Sequence, residues 1–132
     1  MLKTLIAALA VVAAALPAHA DPSGTWQRED GSSRIRIAPC GQAFCGSLTW
    51  MRTPRSDTQN PNEAQRSRPL VGTRIFYEMR ANGANRWSGQ AYNPEDGRTY
   101  AGNMTLSGNR LTTQGCVMGG MICRSVNWTR LN

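Results

Sequence analysis

The chain reads as an all-β protein, an eight-stranded antiparallel up-and-down barrel, on three observations. Apolar and polar residues alternate with period two almost throughout residues 24 to 130. Turn residues recur at short intervals and cut this stretch into eight runs. Gly24-Thr25-Trp26 opens the first run and Trp128-Thr129-Arg130 closes the last, so a Trp and an Arg from the two terminal strands can stack and shut one end of a closed sheet. Eight strands is also the number at which a barrel encloses only side chains or one small ligand, and closure removes the exposed edges of the sheet.

The runs follow in order. The first spans Gly24 to Arg28 and ends at Glu29-Asp30-Gly31; the second, Arg34-Ile35-Arg36-Ile37, puts both Ile on one face and both Arg on the other. A turn between Cys40 and Cys45 leads into Ser47-Leu48-Thr49-Trp50. Strands are then predicted over Val71 to Met79, Arg86 to Tyr92, Thr99 to Leu106, Arg110 to Cys116 and Met121 to Arg130, separated by Gly83, Asp96-Gly97 and Ser107-Gly108-Asn109. On the sixth, Tyr100, Gly102, Met104 and Leu106 share an apolar face in which Gly leaves a gap. Arg52 to Pro69 breaks the pattern: it is polar, with three prolines, and is expected to lie over a barrel mouth as a lid, with a solvated surface loop as the alternative. One helical turn is expected near Asn62 to Arg66, and no longer helix.

Residues 1 to 20 carry Lys3, an apolar stretch from Leu5 to Leu16 and Ala18-x-Ala20, the pattern of a secretory signal peptide cleaved before Asp21. The stretch is too short for a bilayer core of about 30 Å at a rise of about 1.5 Å per residue, so no membrane span is expected. A single barrel domain over residues 21–132 would remain, periplasmic or secreted, and expected to be a monomer with a dimer left open. Without Lys3 the formal charge falls from +7 to +6, and all fourteen remaining basic residues are Arg. They are scattered, which leaves no nucleic-acid footprint but does provide groups that fork onto carboxylates and phosphates.

All four cysteines lie in the exported part and read as two disulfides in an oxidising compartment. Local bridges, Cys40–Cys45 and Cys116–Cys123, are the simplest of the three connectivities; Gly119-Gly120 at the centre of the second interval suits a two-residue hairpin turn. The spacing does not fit a four-cysteine metal site, and no metal or cofactor is assigned. The lone His lies in the leader, so no Ser-His-Asp or Cys-His arrangement can form in residues 21–132. The carboxylate pairs Glu29-Asp30 and Glu95-Asp96 each adjoin Gly in turns, where an Asp before Gly is a turn former, so both pairs read as structural. No catalytic residue is assigned.

The candidate ligand site is a barrel mouth. Tyr92, Asn93 and Tyr100 belong to a hairpin with a polar tip, Arg66 and Arg68 could grip an anionic head group, and Trp50 and Trp87 could line an apolar cavity.

Taken together, Gly24-x-Trp26, Asp30-Gly31, Ile35-x-Ile37-x-Pro39-Cys40-Gly41, Cys45-Gly46, Asn60-Pro61 and Arg66-Ser67-Arg68-Pro69-Leu70-x-Gly72 resemble the pattern of domain-of-unknown-function family 2147, exported bacterial proteins. So do Trp87-x-Gly89, Tyr92-Asn93-Pro94-x-Asp96-Gly97-x-Thr99-Tyr100, Gly115-Cys116, Cys123-Arg124 and Trp128-x-Arg130. The resemblance implies a lipocalin-like (calycin) barrel, in which Gly24, Trp26 and Arg130 would form the structural signature, with Arg124 the fallback partner of Trp26. It implies no established activity. The function expected is therefore binding of a small lipophilic or amphipathic molecule, anionic ones included; the alternative is an inhibitor-like module that meets the cell envelope or a protein through exposed loops and Arg surface.

Overall fold

The computed structural model describes residues 20–132 together with residues 4, 5, 7 and 8; the signal-peptide reading falls almost wholly outside the described residues. Eight strands, β1 (Gly24–Arg28), β2 (Ser33–Cys40), β3 (Ala43–Met51), β4 (Arg74–Gly83), β5 (Arg86–Asn93), β6 (Arg98–Ser107), β7 (Arg110–Val117) and β8 (Ile122–Arg130), close into one antiparallel barrel. Each strand pairs with its sequence neighbours and β1 pairs with β8, with Trp26 opposite Arg130. No helix among the described residues is long and apolar enough to cross a membrane.

Up-and-down order sorts the connections by length. At one end lie two-residue turns after Cys40, Gly83 and Ser107, together with the start of β1 and the end of β8. At the other lie the turn after Arg28, the segment 52–73, the hairpin between Asn93 and Arg98, and the hairpin between Val117 and Ile122. The first end is packed solid. Trp26, Ile35, Ile37, Met79 and Leu111 are wholly buried there, and Phe44 meets Trp87 edge to face at 6.2 Å between centroids.

A stack seals this end. The Arg130 guanidinium lies 4.3 Å from the Trp26 ring centroid and donates to the Ser23 and Asp21 carbonyls, while the Trp26 indole N–H donates to the Pro22 carbonyl at 2.9 Å. Gly24 must lack a side chain, because a Cβ there would stand 2.3 Å from the Asn132 carbonyl oxygen. Arg124 takes no part in this seal; it lies near the start of β8, at the opposite end of the barrel.

Several boundaries differ from those the sequence predicts. β3 begins at Ala43 rather than Ser47, because Gly41, at φ 66°, lets the chain turn in two residues and the Cys40–Cys45 bridge spans the hairpin diagonally. β4 begins at Arg74 rather than Val71; Gly72, at φ 95°, turns the chain and donates its N–H to the Leu48 carbonyl. Cys116 does face Cys123 across the β7–β8 hairpin and is bonded to it, but β8 begins at Ile122 rather than Met121. The connection is four residues, Met118 to Met121, with a 3-10 turn over Met118–Gly120 and positive φ at Met118, Gly119 and Gly120, rather than a two-residue Gly119-Gly120 turn. The short helical turn is a 3-10 helix, Glu63–Gln65.

Candidate functional site

The barrel is open where the longer connections gather. A cavity of about 900 Å³ enters the lumen from that end. Leu48, Ile75, Phe76 and Trp128 belong to both the packed core and the cavity lining and form its floor, and Ala91 and Val126 continue the wall. The Trp128 indole N–H donates to the Thr113 hydroxyl at 2.9 Å, so the polar group of each is satisfied within the wall.

The rim is cationic. Arg28, Arg52, Arg55, Arg98 and Arg124 border the cavity, against Glu95 and Asp96. Arg55 pairs with Glu95 at 2.5 Å and Arg28 with Asp30 at 3.3 Å. Arg52 donates to the Asp30 carbonyl. Arg124 sits opposite Gly115 in the β7–β8 ladder and shares its face with Ile122, Val126 and Trp128, so its guanidinium belongs to the same inner face as the apolar wall. Beside it, the Tyr100 hydroxyl donates to Asp96. That hydrogen bond holds the Asp96 carboxyl below the usual carboxylate range and raises Tyr100 above the usual phenol range.

The segment 52–73 is a strap pinned beside the mouth. Its base closes through the Ser56–Pro69 bridge, and Asp57, fully buried, sits inside the fold-back. Asp57 Oδ2 accepts from Asn60 at 2.8 Å and from Arg68 at 2.9 Å, and Oδ1 accepts from the Tyr92 hydroxyl at 2.6 Å. Burial works against this carboxylate, and the donors from Asn60, Tyr92 and Arg68 outweigh it, holding its pKa below the ordinary value. Burial first, and then the bond to Asp57, push Tyr92 up to about 12. Gly97 completes the docking, since a Cβ there would overlap the Gln59 carbonyl. Of this segment only Arg52, Thr53 and Arg55 reach the cavity, so it supplies part of the rim rather than the expected lid.

The candidate ligand residues therefore separate. Tyr92, Asn93 and Tyr100 border the cavity. Arg66 and Arg68 do not: Arg66 donates to the Asn60 carbonyl and Arg68 is spent on Asp57, so both hold the strap. Trp87 is buried in the plug beneath the cavity. Trp50 lies outside the barrel, 38% exposed and covered by the Arg34 guanidinium at 4.8 Å. The cause is a bulge. Arg34 pairs with Trp50 but Ile35 pairs with Leu48, so Thr49 is an extra residue that turns Trp50 outward and Met51 inward. Sequence reasoning missed Asp57 and took Arg124 only as a fallback partner of Trp26; counting by twos back from Trp128 would have put Arg124 on the inner face.

A closed eight-stranded barrel, sealed at one end under an Arg–Trp stack and hollow at the other, defines a lipocalin-like fold. The sequence pattern of a bacterial family, described as uncharacterised proteins conserved in bacteria (DUF2147), matches residues 24–130, and the chain belongs to that family. Among solved structures it is similar in fold to a Helicobacter pylori protein described as belonging to the lipocalin family, with a TM-score of 0.76 and 21% identity over 85% of this chain and 84% of the other. A comparison with curated proteins finds no match.

Proposed function

We propose that the protein is an exported binding protein for a small amphipathic molecule with an acidic head group. One observation carries this reading: the cavity of about 900 Å³ is apolar at its floor and ringed by arginine at its mouth. An acyl or similarly lipophilic tail would lie against Trp128, Leu48, Phe76 and Val126, removing apolar surface from water at about 25 cal/mol per Å². Its carboxylate or phosphate would meet Arg124, with Arg52 and Arg98 close by. Two disulfides, no free cysteine among the described residues and the leader pattern at residues 1–20 support an oxidising, extracytoplasmic compartment.

The test is displacement of a fluorescent long-chain fatty acid, compared with the corresponding fatty alcohol. Binding of the acid, weakened about tenfold by Arg124→Gln while the alcohol is unaffected, is the expected result. Val126→Trp, which fills the lumen, should abolish binding of both. Failure of the parent to bind either probe refutes the reading.

A further inference from the structure

The hairpin that joins β7 to β8 is apolar at its tip. Its residues are Val117, Met118, Gly119, Gly120, Met121 and Ile122, without one polar side chain, and Met118 and Met121 are 70% and 84% exposed. The tip is held in shape: Gly119 and Gly120 take φ of 67° and 91°, the Met121 N–H donates to the Met118 carbonyl, and the Cys116–Cys123 bridge staples the base. A hairpin turn facing water has no need of four large apolar side chains.

Two further observations say what covers it. Val117 and Ile122 also line the cavity, so the apolar surface of the tip runs into the lumen without a break. The same mouth carries Arg98 and Arg124, beside Arg28, Arg52 and Arg55, with only Glu95 and Asp96 opposing them in the lining. A rigid apolar tip beside Arg98 and Arg124, which form no ion pair among the described residues, matches an anionic lipid surface, where acyl chains lie just beneath phosphate groups. A stable protein interface needs roughly 800 Å² a side, which one four-side-chain tip does not provide, whereas interfacial insertion depends on depth.

We propose that the protein docks mouth-down on an anionic bilayer, with Met118 and Met121 among the acyl chains and arginines on the phosphates. This places the cavity entrance at the lipid surface, so that an amphipathic ligand can pass between membrane and lumen along Ile122 and Val117 without crossing water. The proposal rests on the ligand-binding reading for its purpose. Docking is measured without added ligand, so the two fail separately.

The experiment is co-sedimentation of the protein, purified from the full chain after export, with vesicles of equal parts phosphatidylglycerol and phosphatidylcholine and with vesicles of phosphatidylcholine alone. We expect sedimentation with the anionic vesicles, loss of about tenfold in partition on raising salt or omitting phosphatidylglycerol, and a loss of similar size in Met118→Ser/Met121→Ser. A Met121→Trp variant should shift its emission to the blue on adding the anionic vesicles. Failure of the parent to sediment, equal partition of the double-serine variant, or unchanged Met121→Trp emission each overturns the proposal, whatever the fatty-acid assay shows.

Discussion

Tyr92 on β5 donates a buried hydrogen bond of 2.6 Å to Asp57, 35 residues earlier in the strap. The contact joins the longest irregular segment of the chain to the barrel wall. It also makes that junction sensitive to pH at both extremes. Asp57 has a depressed pKa in the fold, so its contribution is complete above the unfolded carboxylate value of about 4 and is lost as pH falls through the folded value. Tyr92 has a raised pKa, so its contribution is complete below about 10 and is lost as pH rises to about 12.

Tyr92→Phe tests this relationship. Removing one of three donors from a buried carboxylate should cost about 1–3 kcal/mol at pH 7. A phenol whose pKa rises from about 10 to about 12 on folding contributes about 2–3 kcal/mol, so between pH 10 and pH 12 the parent should lose about that much more than the Phe variant. Urea unfolding at pH 7 and across the alkaline range measures both. Two curves that stay parallel up to pH 12 would refute the assignment.

Arg130 and Arg124 are both on β8, yet only the first lies over Trp26. Arg130→Lys gives up the stack and the two-pronged reach to Ser23 and Asp21, and should lower stability by about 1–3 kcal/mol. Arg124→Lys, at the rim, should change stability by less than about 0.5 kcal/mol. Thermal or urea midpoints of the two variants, measured side by side, decide the matter.

Gly89 faces a bulge in β4 where Glu78 takes φ 47° and the register against β5 slips. A Cβ at Gly89 would stand 2.4 Å from the Tyr77 carbonyl oxygen and 2.5 Å from that of Glu78, both backbone atoms fixed by the bulge. Gly89→Ala should cost about 1–3 kcal/mol. At Gly115 a Cβ would meet Tyr100 at an ordinary 3.5 Å, so Gly115→Ala should cost less than about 1 kcal/mol. Equal losses at the two positions would mean that the loss of Gly, rather than the crowding, sets the cost.

The sequence revealed the barrel and its seal because both depend on regular features. Period two gives the inner face of Ile35 and Ile37, and the flanking Trp26 and Arg130 give the closure. It misled wherever the period breaks. The extra residue at Thr49 reverses every face after it, which carried Trp50 from the wall to the outside. Arg66 and Arg68 read as free grips because the partner that consumes Arg68, Asp57, lies eleven residues away inside a segment with no periodicity. Asp57 itself had no local signal: its burial is produced by the strap folding back on Tyr92.

The two disulfides separate the stability of the barrel from the shape of its mouth. Cys40–Cys45 clips the sealed end and Cys116–Cys123 the open one, with five and seven residues of sequence separation. In the chain-entropy account such short loops contribute about 2 kcal/mol each, so replacing either pair by Ala should lower the unfolding free energy by similar amounts. Their effects on binding should differ. Val117 and Ile122 flank the Cys116–Cys123 pair and line the cavity, whereas the residues around Cys40 and Cys45 do not. Cys116→Ala/Cys123→Ala should therefore weaken fatty-acid binding several-fold, at about the cost of 1 kcal/mol, and Cys40→Ala/Cys45→Ala should leave it unchanged. Titration of the fluorescent acid at a temperature where both variants are fully folded separates the two, and equal affinities would remove the mouth hairpin from the binding site.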